Sequence, residues 1–273
     1  MTKIKICGLS RPADIDIVNE VLPDYIGFVF AKSRRQVSEM TAMELRANLN
    51  PKIKVVGVFV NDEIEKVIRL CNSNIIDIVQ LHGDEGEVYL QKLKTSINNP
   101  IIKAVRVRNT EDIKQANKLS CDYLLLDAYK ENQYGGSGEI FDWSILGHKI
   151  DTDKSSDIDK SSNIDNPSNK DNPSSIDNPS NKENPSNTDN PSDIDNPSNI
   201  DNPSDTDNPN DMDNLSYLDK PYFLAGGINS GNVMQAMTQG HPYCIDVSSG
   251  VETDGYKDAD KIVEIIKKIR SVR

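Results

Sequence analysis

Residues 222–250 read YFLAGGINSGNVMQAMTQGHPYCIDVSSG. The stretch opens on an apolar, aromatic run that stops at Gly226-Gly227, and it closes on a second run that stops at Ser248-Ser249-Gly250. Runs without polar alternation are what strands buried on both faces require. The segment between the two runs is long enough for a crossover helix, so the unit reads strand, small-residue turn, helix, strand, small-residue turn.

Outward from this stretch the same unit recurs. Strand candidates lie at 3–7 (KIKIC), 25–30 (YIGFVF), 54–60 (KVVGVFV), 76–81 (IDIVQL), 101–107 (IIKAVRV), 123–127 (YLLLD), 222–226 and 244–248. Helical patterns separate them. In the last of these, Ala259, Ile262, Val263, Ile266 and Ile269 share one face at 3.6-residue spacing. Eight βα units in about 209 residues, leaving out 151–214, predict a single-domain α/β fold, the (β/α)8 TIM barrel, at the low end of its size range. A doubly wound open sheet is the alternative, but no G-x-G-x-x-G follows the first strand.

The segment set aside is compositionally foreign to the rest. Of the 273 residues' net charge of −12, all of it sits in 151–214, which holds sixteen acidic residues and four lysines. Prolines fall at 167, 173, 179, 185, 191, 197, 203 and 209, a period of six in variants of Asp-Asn-Pro-Ser. With five Ile, Met212 and no aromatic, the segment cannot bury enough apolar surface to offset the entropy of ordering. The expectation is a disordered acidic low-complexity insert between the sixth helix and the seventh strand. A β-solenoid would want an inward apolar residue in every repeat, and Ile164, Ile176, Ile194 and Ile200 supply it irregularly. Asp151-x-Asp153 starts like a calcium loop but lacks its Gly and closing Glu. The organisation is therefore units one to six in 1–150, the insert in 151–214, and units seven and eight in 215–273.

Without the insert, 27 acids balance 27 bases, with no basic stripe for nucleic acid. The N-terminus enters a strand at once and no apolar run reaches 18 residues, so a cytoplasmic protein without a membrane partner is expected. Four cysteines without a C-x-x-C pair, beside three histidines, argue against zinc or a disulfide framework.

Catalytic groups of such barrels stand at the C-terminal ends of the strands. Those ends carry Cys7, Phe30, Asn61, His82, Arg106 or Arg108, Asp127, Gly226-Gly227 and Ser248-Ser249-Gly250. Gly227, Ser248, Ser249 and Gly250 put bare backbone amides on two adjacent loops, which favours a phosphate over simple turn formation. Cys7 and Asp127 could face each other as base and acid, given a lowered thiol pKa and a raised carboxyl pKa. A buried core thiol and a helix-capping aspartate are the bland readings of the same residues. Ser33-Arg34-Arg35 is either a carboxylate clamp or a solvated basic loop. His82 is ambiguous, His148 and His241 read as surface or loop residues, and Gly135-Gly136-Ser137-Gly138 is flexible enough for a lid.

At these residues the chain resembles the phosphoribosylanthranilate isomerases of tryptophan biosynthesis. The matching stretches are KICGL (5–9), GFVF (27–30) with SRR (33–35), VGVFVN (56–61) and VQLHG (79–83). They continue with LLD (125–127), YGGSG (134–138) running to FDW (141–143), AGGIN (225–229) and DVSSGVE (246–252). The likeness covers everything outside 151–214, in order. It implies an Amadori rearrangement of N-(5-phosphoribosyl)anthranilate to the 1-deoxyribulose phosphate, without metal or cofactor, in a monomer or homodimer. Cys7 would be the general base and Asp127 the general acid. Arg35 would hold the anthranilate carboxylate, amides around Gly227, Ser249 and Gly250 the phosphate, and Asp246 would lie close by. Another phosphosugar isomerase or epimerase is the nearest rival, and a non-catalytic phosphosugar-binding barrel the more distant one. A metal-dependent epimerase would want more ligands than His82, and the indole-forming synthase would want lysines at strand ends, whereas Lys5 and Lys103 lie inside strands.

Overall fold

The eight apolar runs all become parallel strands: β1 (Lys3–Cys7), β2 (Tyr25–Val29), β3 (Lys54–Phe59), β4 (Ile78–Leu81), β5 (Ile101–Val107), β6 (Tyr123–Ala128), β7 (Tyr222–Leu224) and β8 (Cys244–Val247). A computed structural model describes residues 1–129, 140–146 and 218–272. The Gly135–Gly138 stretch, His148 and the 151–214 repeat lie outside the described residues.

Each strand pairs with the next, and β8 closes on β1 through Lys3↔Cys244 and Lys5↔Asp246, so the sheet is a closed eight-stranded barrel. Helices α1 (Pro12–Val21), α2 (Glu39–Ala47), α3 (Ile64–Asn72), α4 (Glu87–Lys94), α5 (Thr110–Asn117), α6 (Val233–Gly240) and α7 (Ala259–Ser271) surround it. Local chemistry starts them. Pro12 opens α1, while Ser38, Asn109 and Asp258 cap α2, α5 and α7 by accepting from Thr41, Asp112 and Lys261 backbone N–H groups. Among the described residues the sixth helix is represented by a 3₁₀ turn, Trp143–Leu146, whose Trp143 and Leu146 are buried.

Period-2 alternation sorts the strand residues into two layers. Ile4, Ile6, Ile26, Phe28, Leu124, Leu126, Ile245 and Val247 join the helices' apolar faces in the outer core. Tyr25, Val56, Ile78, Ile102, Leu125, Phe223 and Cys244 form a separate core inside the barrel.

Six strands differ from the sequence reading by one or two residues at one end, and a hairpin is added. β7 stops at Leu224 rather than 226, because Gly226 and Gly227 turn to positive φ and leave the ladder. After β8, a 3₁₀ turn (Ser249–Val251) leads into a short hairpin, β9 (Glu252–Thr253) with β10 (Tyr256–Lys257), absent from the sequence reading. Its Asp254-Gly255 tip, both residues at positive φ, is the two-residue hairpin signal, masked there by very short strands. Among the described residues no helix is long and apolar enough to cross a membrane.

Candidate active site

Cys7 ends β1 and faces the barrel interior two residues after Lys5, as strand alternation demands. Gly27 of β2 stands in register with it, and a Cβ there would lie 2.7 Å from Cys7 Sγ, so glycine makes the space the sulfur occupies. Lys5 has no exposed surface, and its Nζ donates to Asp246 Oδ2 at 2.8 Å. The other oxygen, Asp246 Oδ1, is buried without a hydrogen-bond partner. Burial works against the charge of Lys5, yet Asp246 and Cys7 hold its ammonium above the ordinary lysine value. Burial also pushes the Cys7 thiol up, opposed by the ammonium groups of Lys5 and Lys257 and reinforced by Asp246. The lowered thiol expected of a ready base is therefore not seen here.

Asp127 faces inward from β6, on the same side as Leu125, and is 3% exposed. Its Oδ1 accepts from the Ala128 N–H at 2.9 Å, and its Oδ2 lies 3.3 Å from His82 Nε2. That second approach has ion-pair distance but not hydrogen-bond geometry, for His82 Nε2 is otherwise unpartnered. Gln80, two residues earlier on the same face of β4, donates from Nε2 to His82 Nδ1 at 2.8 Å. With Nδ1 accepting, the proton of a neutral ring sits on Nε2, toward Asp127.

Arg35 is held by Glu252, through Nε to Oε1 at 2.7 Å and Nη2 to Oε2 at 3.1 Å. The same carboxylate bonds Arg34 and takes Lys257 Nζ at 2.7 Å, so one anion gathers three cations. Despite burial, Arg35 and Lys257 keep the Glu252 carboxyl below its ordinary value. The Arg35 side chain passes over Gly8 (φ +83°), where any Cβ would collide with it. The pair Cys7-Gly8 thus presents the thiol and gives the arginine its channel.

The two small-residue turns meet. A Cβ on Gly250 would strike the Ile228 carbonyl, and Asn229 and Asn232 amides donate to the Gly227 oxygen at 3.1 and 3.0 Å. Ser248 Oγ donates to the Cys7 carbonyl at 3.2 Å, tying the turn after β8 to the end of β1. Gly227, Ser248, Ser249, Gly250, Cys7, Asp246 and Arg35 thus share one mouth of the barrel.

Other strand-end residues have different work. Phe30 stacks on Phe59, with ring centroids 5.2 Å apart, Arg106 bonds Asp84, and Arg108 bonds Asp112. Lys103 donates to Glu85 Oε2 and the Gly83 carbonyl. His241 is the left-handed C-cap of α6. A cavity of about 690 Å³ opens elsewhere, between the starts of α3 and α4 around Ile64, Val88 and Tyr89, and includes neither Cys7 nor Asp127. Sequence reasoning missed the tasks of Lys5, Glu252, Lys257 and Gln80. Lys5 and Gln80 had a usable signal, their i, i+2 spacing from Cys7 and His82.

Comparison with known proteins agrees with this geometry. Residues 4–158 and 210–268 match the family model described as N-(5'phosphoribosyl)anthranilate (PRA) isomerase. The N-(5'-phosphoribosyl)anthranilate isomerase of Endomicrobium trichonymphae is 37% identical over 272 residues, covering 100% of both chains. A crystal structure of phosphoribosyl anthranilate isomerase in complex with reduced 1-(o-carboxyphenylamino)-1-deoxyribulose 5-phosphate is similar at TM-score 0.64 and 27% identity, covering 100% of both chains. So is a structure of monomers generated from the dimeric enzyme of Thermotoga maritima, with the same score, identity and coverage. A closed parallel barrel with these motifs in this order, matched over most of its length, belongs to the N-(5'-phosphoribosyl)anthranilate isomerase family.

Proposed function

We propose that the chain isomerises N-(5'-phosphoribosyl)anthranilate to 1-(2-carboxyphenylamino)-1-deoxyribulose 5-phosphate, a step of tryptophan biosynthesis, by general acid/base catalysis. The observation that carries the mechanism is the placement of two inward-facing ionisable groups, Cys7 and Asp127, at the C-terminal ends of β1 and β6. Asp127 donates a proton to the furanose ring oxygen. The C1–O bond breaks, the anilino nitrogen supplies the electron pair, and a protonated Schiff base forms. The Cys7 thiolate removes the proton from C2, and that electron pair moves toward nitrogen to give the enolamine. Return of a proton to C1 and loss of the C2 hydroxyl proton yield the ketone. Neither metal nor redox cofactor enters the balance.

Supporting groups follow from the same mouth. The Glu252 carboxylate occupies one edge of the Arg35 guanidinium, and a second edge of that planar fork suits the anthranilate carboxylate. Backbone amides of Gly227, Ser249 and Gly250, with Ser248, suit the phosphate, since the two turns abut. Asp246 lies beside Cys7 with an unpartnered oxygen available to a sugar hydroxyl. The protein acts on this small molecule alone, as a monomer or homodimer in the cytoplasm, and the 151–214 insert stands apart from the chemistry.

The test forms the labile substrate in place from anthranilate and phosphoribosyl pyrophosphate with anthranilate phosphoribosyltransferase, and follows the fluorescence change after adding the protein. Rapid protein-dependent conversion, abolished by Asp127→Asn, is the expected result. No conversion by the folded protein overturns the assignment.

A further inference from the structure

We propose that Lys5 is the positioning partner of the base: its buried ammonium, anchored by Asp246, stabilises the Cys7 thiolate and sets how readily the thiol releases its proton. The inference rests on Cys7 as the general base and deepens that reading.

Three observations carry it. Lys5 and Cys7 are i, i+2 on β1, so both side chains enter the barrel on one side of the sheet, and β8 sets Asp246 in register beside Lys5. Elsewhere the interior is filled by Val56, Ile102, Leu125 and other apolar groups, so a wholly buried ammonium is costly here unless it has partners. Its hydrogen-bond partner is Asp246 at 2.8 Å, and the Cys7 thiol stands two residues along on the same face of β1. Finally, the pair is not self-contained, because Asp246 leaves one buried oxygen unsatisfied, a cost that a purely structural ion pair would avoid.

The charges around the sulfur decide the sign. From β1 it meets Lys5, from β8 Asp246 and from β10 Lys257, while β2 offers only Gly27. Lys257 is committed to Glu252 and the Ser248 carbonyl. Lys5, two residues away on the same face of β1, is therefore the cation left to favour the thiolate, and Asp246 opposes it. Removing it should make the thiolate harder to form, and neutralising Asp246 should make it easier.

The experiment is a pH titration of the thiolate's ultraviolet absorbance, read in each background as the difference from the same protein carrying Cys7→Ala, so that the other three cysteines, Cys244 beside Lys5 and Asp246 included, cancel. It is run on the full chain and on Lys5→Met and Asp246→Asn. An opposite charge this close moves a midpoint by roughly 1–3 pH units. The midpoint should rise by at least about one unit in Lys5→Met and fall in Asp246→Asn. Unmoved midpoints, or shifts in the same direction, overturn the proposal. If Lys5→Met does not fold, Lys5→Gln is titrated in its place: a midpoint raised by at least about one unit supports the proposal, and an unmoved or lower one overturns it. Activity separates the two readings. Full turnover by Cys7→Ala would remove the base assignment while the titration still judges Lys5.

Discussion

The two ends of the barrel's interior are built by the same strands and could hardly differ more. At the N-terminal end, Phe223 sits among Tyr25, Tyr123 and Tyr243, with ring centroids 5.5, 5.7 and 5.8 Å away, and the hydroxyls of Tyr25 and Tyr243 meet at 2.9 Å. Every polar atom in that pairing is spent on its neighbour. Toward the C-terminal end the interior holds Cys7 and two polar pairs, Lys5 with Asp246 and His82 with Asp127, and His82 Nε2 and Asp246 Oδ1 are left without hydrogen bonds. One end is closed by aromatic packing that stabilises the fold. The other keeps buried polar atoms without protein partners, where each unmade hydrogen bond costs about 1–3 kcal/mol and a polar ligand can complete it. The closed end supports the open one, since strands fixed at their starts deliver their last residues to defined positions.

This division can be broken by experiment, and the largest effect belongs to the open end. Cys7→Ala should lower kcat by about 10³-fold, within the usual range for a general base, with the melting temperature nearly unchanged. A variant keeping wild-type kcat would remove Cys7 from the chemistry. At the closed end, Phe223→Ala should cost about 3–5 kcal/mol of stability in a denaturant titration while the folded fraction keeps its kcat. Should kcat collapse in the folded fraction instead, the two ends are not separable.

A gentler probe is pH. The base acts as thiolate and burial raises the Cys7 midpoint, so below it the active fraction falls tenfold per pH unit. The rate at which a small alkylating reagent labels Cys7, which reads the thiolate without the acid, should accordingly climb from neutral pH into the ordinary thiol range near ~8.5 and beyond. A profile already flat at neutral pH would contradict a raised thiol. The smallest effect is expected outside both ends. The chain enters β7 on the face opposite the mouth, and lengthening a loop there costs about 0.6 kcal/mol per doubling. Replacing 151–214 with a short Gly/Ser linker should change kcat/KM less than twofold, and a tenfold loss in a folded variant would tie the repeat to catalysis.

How much of this was legible in advance follows the range of the forces involved. The strands declared themselves because burial on both faces demands continuous apolar runs, and β1, β5 and the start of β6 fall where those runs predict. Cys7 and Asp127 were found at strand ends because barrel connectivity brings all such ends to one mouth. Lys5 reads from the sequence as a residue inside a strand, although its spacing from Cys7 places both on one face.

What the sequence by itself determined is therefore local and periodic: strand positions, the apolar face of the last helix, the family motifs and the foreign composition of 151–214. What only the tertiary structure decided is pairing across distance. Lys5 with Asp246, Arg35 and Lys257 with Glu252, and His82 with Asp127 are contacts between different strands and loops. No spacing rule within one strand encodes them, because barrel closure sets β8 against β1 and so brings the two ends of the chain to one site. The electrostatics of that site belong to the closed barrel: burial strengthens each charge's effect on its neighbours, and burial exists only once all eight strands are in place.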